Sequence, residues 1–169
     1  RDGSPAGAIQ TDPVVMALAW HPAKPLLATG TAANGNIQIW SLDGNLIKSW
    51  KAHSKGIIAL DWNPTDDRLL SSAYDQHVRV WDEEANAVGN LAGPMAIACA
   101  ATWNATGQQL ATAHIDGTVR VWDGNTLQPI STSLIFNDGN WALVHSRGIS
   151  SSSDPAAVDG RFVGMVEVE

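Results

Sequence analysis

Three side chains near the middle of the chain, His53, Ser71 and Asp75, are the residue types of a nucleophilic triad: a hydroxyl to attack, an imidazole to take its proton and a carboxylate to orient the ring. Their surroundings argue against that use. No G-x-S-x-G sequence lifts a serine onto a strained turn, and Ser71 falls inside LLSSA, a short run that reads as a strand. A metal is no better served. His21, His53, His77, His114 and His145 stand far apart, with neither an H-E-x-x-H pair nor Cys/His spacing. His77 and His114 flank turns, where a polar side chain is expected to face solvent. Glycine-rich phosphate loops are missing as well, so the expectation is no catalytic residue, no metal and no cofactor.

Composition narrows the class. The 169 residues are 44% hydrophobic, enough for a packed core. The formal net charge is −7, with twelve acids against eight bases in residues 1–130 and five against two in 131–169. No basic patch stands out along the chain, so direct nucleic-acid binding is not expected. Cys99 is the single cysteine and cannot close an intrachain disulfide, which fits a reducing compartment, cytoplasm or nucleus. In strand sequence rich in small apolar residues it is expected to be buried. No run of about 18 apolar residues occurs, and residues 1–13 lack the basic-then-apolar layout of a signal peptide. The expectation is an intracellular chain without a membrane span.

Six of the eight tryptophans organise the chain. Trp40, Trp81 and Trp122 are 41 residues apart, and Trp20, Trp62 and Trp103 are 42 and then 41 apart. A period near 40 is the size of one four-stranded propeller blade. Each unit opens with an apolar run (VVMALAW, GIIALDW, AIACAATW) followed by a turn (HPAKP, NPTDD, NATGQ). A second strand (LLATG, LLSSA, LATAH), a tight turn and an alternating third strand (NIQIW, HVRVW, TVRVW) come next. A weaker fourth strand, as suits an outer edge, closes the unit. No capping box leads into a helix-length amphipathic run, so no helix is expected.

The segments LLSSAYDQHVRVWD (Leu69 to Asp82) and LATAHIDGTVRVWD (Leu110 to Asp123) resemble the second and third strands of WD40 repeats, including the closing pairs Trp81–Asp82 and Trp122–Asp123. The first repeat closes with Trp40–Ser41. The resemblance covers roughly residues 14–130 and implies an all-β propeller of four-stranded blades. It also implies a hydrogen-bonded structural tetrad in the second repeat: His53 before the first strand, Ser71 in the second, Asp75 in the tight turn and Trp81 in the third. The third repeat keeps Thr112, Asp116 and Trp122, with Pro94 where the offset places a histidine. The first keeps Thr29 and Trp40, with Asn34 at the aspartate position and Thr11 near the histidine position.

Three blades are assigned to residues 14–130, after a lead-in at 1–13. Residues 131–169 are expected to form a divergent fourth blade or pieces of one. SLIFNDGNWALVHS reads as a hairpin, a Ser-rich loop lies at 148–158, and DGRFVGMVEVE reads as a turn and a strand. Trp122 to Phe136 spans 14 residues where Trp81 to Trp103 spans 22, about one strand too few. A propeller closes with about four to eight blades, and the family lies near seven, so other residues of the same protein are expected to finish the ring. The chain also begins at Arg1 rather than Met, as a piece of a longer polypeptide would.

The function implied is that of a non-catalytic protein-interaction scaffold, a subunit of a multiprotein assembly. A peptide or histone-tail reader is the alternative, and a propeller enzyme comes third. In the family the second-to-third-strand turn and the loop before the first strand share one face. Tyr74, Gln76, His77, Lys55, His114 and Ile115 are therefore the candidate partner contacts.

Overall fold

Short apolar runs separated by turn residues can satisfy their backbone groups only by pairing with the next run, and the chain does this throughout. The computed structural model describes residue 9 and residues 14–91, 96–135, 140–145 and 148–152. Among these no helix occurs. Sheet 1 orders β1 (Val15–Trp20), β2 (Leu26–Thr31), β3 (Asn36–Ser41) and β4 (Leu46–Lys51). Sheet 2 repeats the pattern with β5 (Ile57–Trp62), β6 (Leu69–Ala73), β7 (Val78–Trp81) and β8 (Ala87–Asn90). Sheet 3 begins likewise with β9 (Ala98–Trp103), β10 (Gln109–His114), β11 (Val119–Asp123) and β12 (Pro129–Ile135), then adds β13 (Trp141–His145) and β14 (Gly148–Ser152). All pairings are antiparallel between chain neighbours, so the turns alternate between two ends. The end holding the β2–β3, β6–β7 and β10–β11 turns is called upper, the other lower.

The sheets stack face to face, and strand alternation decides which neighbour each side chain meets. Leu69 packs with Ala17, Ala19, Ile37 and Ile39 of sheet 1. The next residue, Leu70, turns to Ala101, Trp103 and Leu110 of sheet 3. Buried on both faces, β6 has no polar alternation to show, which is why its sequence reads as a continuous run.

The first strand of every unit carries a bulge. The register slips at Met16, at Ile58 and at Cys99. A bulged residue loses its ladder partner and its place in the alternation. This corrects the expectation for Cys99, which is exposed rather than buried.

The region after Ile130 also differs from a separate fourth blade. The hairpin is present, with Ser133 opposite Leu143 and Ile135 opposite Trp141, although its turn at 136–139 lies outside the described residues. Its first strand, however, is β12 itself, already the outermost of the four blade strands of sheet 3. With one strand too few, β12 serves both purposes, and β13 and β14 extend sheet 3. Gly148–Ser152, expected within a Ser-rich loop, is β14, with Ser151 opposite Leu143. The rest of that loop, the strand expected at its end and nearly all of the lead-in lie outside the described residues.

Among the described residues, one face of the stack is left exposed. Leu60 and Trp62 are 8% and 9% exposed against sheet 1, and Ala101 and Trp103 are 7% exposed against sheet 2. The matching residues of β1, Leu18 and Trp20, are 62% and 60% exposed.

Candidate functional site

The link between β4 and β5 carries His53. Its backbone is held by sheet 1, since the amides of Ala52 and His53 donate to the Gly35 carbonyl at 3.1 and 2.9 Å. That turns the imidazole inward, where it is 1% exposed. Ser71 faces it from β6, and Trp81 reaches it from β7. His53 Nδ1 lies 2.9 Å from Asp75 Oδ1, and His53 Nε2 lies 2.8 Å from Ser71 Oγ. The Trp81 indole N–H donates to Ser71 Oγ at 2.8 Å.

These contacts fix the protons. A carboxylate only accepts, so Nδ1 carries hydrogen and donates to Asp75. Nε2 then accepts from the Ser71 hydroxyl, whose oxygen accepts from Trp81. Burial lowers the His53 pKa to about 4, with Asp75 opposing the shift, so the ring is neutral near pH 7. Burial alone raises the Asp75 carboxyl, but the donors around it, His53 and the amides of Ser54 and His77, more than reverse this and hold it below its ordinary range.

Distances alone would suit a nucleophilic triad. Access does not: Ser71 is 0% exposed and its oxygen already accepts the indole N–H. A nucleophile needs a site about 3 Å away for the reacting atom, and the packed sheets fill that space. What the relay can do is satisfy four buried polar groups at once and fasten two loops to sheet 2.

Sheet 3 builds a similar relay differently. Trp122 Nε1–H donates to Thr112 Oγ1 at 2.9 Å, and Thr112 Oγ1 lies 2.8 Å from His114 Nε2. His114 Nδ1–H donates to the Ala96 carbonyl at 2.9 Å. The histidine comes from the same strand, two residues on, where alternation returns it to the side of Thr112. This corrects the reading of His114 as a solvent-facing turn residue and partner contact, since it is 6% exposed. Asp116 stays outside this relay and accepts from the amide and hydroxyl of Thr118 at 3.0 and 2.7 Å. Pro94 lies outside the described residues. The Thr-x-His spacing was the available signal, hidden because the histidine was sought at a fixed offset. In sheet 1, Trp40 Nε1–H donates to Thr29 Oγ1 at 2.9 Å, and Thr31 Oγ1 bonds Asn34 Oδ1. Thr11 lies outside the described residues.

The other candidate contacts stand on the upper end. The amide of Tyr74 donates to Gly56 O at 2.9 Å, beside exposed Lys55, and the amide of Ile115 donates to Ile97 O at 3.0 Å. Both occupy the same position of neighbouring units, and both are exposed, at 42% and 63%. Gln76 is exposed with φ of 68°, where Gly35 and Gly117 stand in the sister turns with φ of 65° and 82°. The exposed His77 ring is held by Nδ1, 2.8 Å from Asp75 O. Among the described residues no group of three or more His, Cys, Asp or Glu is placed to hold a metal, and no helix is long and apolar enough to cross a membrane.

Four-stranded antiparallel units, stacked face to face with a buried Trp-to-hydroxyl hydrogen bond in each, define the blades of a β-propeller. The family model for the WD domain, G-beta repeat, matches residues 6–41, 44–82 and 86–123. The chain belongs to the WD40-repeat family. It is 39% identical over 62 residues to the F-box-like/WD repeat-containing protein TBL1X of Mus musculus, covering 37% of this chain and 12% of that protein. The Homo sapiens TBL1X is 39% identical over 62 residues, 37% of this chain and 11% of that protein. The uncharacterized WD repeat-containing protein slr0143 of Synechocystis is 36% identical over 64 residues, 38% of this chain and 5% of that protein. The matched stretch thus spans a small part of each relative. WD40 repeats are in general protein-interaction scaffolds, and the family is in general non-catalytic.

Proposed function

We propose that the chain is a non-catalytic docking scaffold, part of a WD40 subunit of an intracellular multiprotein assembly in the cytoplasm or nucleus. Its partners are other proteins, contacted at the upper end through Tyr74, Ile115, Lys55, Gln76 and His77. The observation that carries this reading is the pair Tyr74 and Ile115, large apolar side chains left exposed at equivalent positions of adjacent blades, above buried polar relays. Exposed aromatic side chains on a rigid support are the usual anchors of an interface. The same reading supplies a preceding blade, from other residues of the same protein, to cover Leu18 and Trp20. Tyr74→Ala tests it, with partners first identified by affinity capture and mass spectrometry. Binding is expected to weaken by more than about 1 kcal/mol at an unchanged melting temperature. Lost stability with intact binding would assign Tyr74 to the fold instead.

A further inference from the structure

The lower end differs from the upper in charge and in shape. The lower-end turns of sheets 1 and 2 carry Asp43, Asp66, Asp67, Asp82, Glu83 and Glu84 against Lys24 and Arg68, with Lys48 of β4 reaching the same end. At their centre, between the two sheets, a cavity of about 140 Å³ has Leu26, Ile39 and Trp62 in its lining and Ile47, 54% exposed, beside them. That volume is close to the ~150 Å³ of an apolar cavity able to hold benzene, and well under the ~300 Å³ of a small-molecule site. It is room for one side chain.

The sister interface gives the reason for the vacancy. Between sheets 2 and 3, Arg68 lies along the tryptophan equivalent to Trp62, with Cζ 4.9 Å from the Trp103 ring and Nη1–H donating to Gly124 O at 2.5 Å. The residue matching Arg68 in sheet 1 is Leu26, too short to do the same. The cations that line the cavity are already engaged. Lys24 Nζ binds Asp67 and Glu83 at 2.7 Å each, and Lys48 Nζ donates to Glu83 O at 2.6 Å. The indole N–H of Trp62 has no acceptor. That of Trp103 has none either, and both nitrogens are buried, so the open interface differs from its sister in the space above the ring and not in the indole N–H.

We propose that this cavity seats one apolar side chain, of leucine or methionine size, from a basic segment of a partner protein whose lysines and arginines lie over the lower-end carboxylates. An apolar lining selects the anchor. Asp67 and Glu83 in the lining, with the further carboxylates of the lower-end turns, select its flanks and repel phosphate-rich partners. This surface lies opposite Tyr74 and does not depend on it.

The test uses the full chain, labelled, and nine-residue synthetic peptides in which lysine and arginine alternate with glycine or serine around a varied central residue. Central leucine or methionine is expected to bind at least tenfold tighter than central glycine. Binding is expected to be lost in Leu26→Arg, which plugs the cavity as Arg68 does its sister, and kept in Tyr74→Ala. If Leu26→Arg fails to fold, Ile47→Ser, at an exposed position, is expected to lower the leucine preference at least threefold. Equal binding of glycine-centred or glutamate-flanked peptides, or an unchanged leucine preference in folded Leu26→Arg or Ile47→Ser, would overturn the proposal.

Discussion

The relay around His53 makes stability depend on pH in a defined window. An imidazole in the unfolded chain takes its proton near pH 6.5, whereas burial delays protonation in the folded chain to about pH 4. Between those values the unfolded state binds more protons, so stability is complete above pH 6.5 and falls as pH falls toward 4. About 2.5 units of separation at ~1.4 kcal/mol each gives a loss approaching 3 kcal/mol at pH 4. Asp75 works in a lower window, because its carboxyl is held below 3.8 and its contribution is lost only as pH falls further. Equilibrium urea unfolding from pH 7.5 to 4, in the natural chain and in His53→Gln, isolates the effect from the other histidines. The natural chain is expected to lose about 3 kcal/mol more than the variant over this range. Two curves that run parallel within about 0.5 kcal/mol would refute the neutral, buried His53 on which the relay depends.

Asp75→Ala is expected to cost about 1–3 kcal/mol in the same assay, because it strands His53 Nδ1–H and the Ser54 amide. Asp75→Asn, which restores an acceptor, should recover more than half of that loss. His114→Leu is expected to cost about 1–2 kcal/mol by stranding the Thr112 hydroxyl and the Ala96 carbonyl, and a change under about 0.5 kcal/mol would return His114 to the surface. Gln76→Gly is expected to raise unfolding free energy by about 0.5–1 kcal/mol, since relief of a left-handed φ outweighs the added chain entropy. A fall in thermal midpoint would mean that Gln76 makes contacts worth more than its strain.

The blade pattern was legible because it is periodic: tryptophans at a fixed interval and turn residues between apolar runs locate each strand of sheets 1 and 2. The side chains that meet at Ser71 came from the resemblance to WD40 repeats and not from the period itself. The departures share a cause, which is that sequence offsets do not record strand faces or ladder irregularities. His114 reaches Thr112 by alternation within one strand, so a search one period away found Pro94. Cys99 sits in a bulge, a backbone event with no residue signature of its own. At β12 the missing strand was countable, but that a single strand could serve both blade and hairpin was not. The carboxylates look evenly spread along the chain, and the excess at the lower end of sheets 1 and 2 emerges only when alternate turns are brought together.

The loop bearing His53 is riveted to two sheets at once, with its amides on Gly35 of sheet 1 and its imidazole between Ser71 and Asp75 of sheet 2. Gly35 admits this approach because a Cβ there would stand 2.3 Å from the Lys55 carbonyl and 2.4 Å from that of His53. Neighbouring blades therefore cannot open independently. When sheet 1 frays, the loop loses its anchor and the relay of sheet 2 loses its imidazole, so melting propagates down the row as in a nearest-neighbour array. The amides of Ala52 and His53 are reporters across the boundary: their hydrogen exchange is expected to track the opening of sheet 1, although the imidazole they position packs into the next blade.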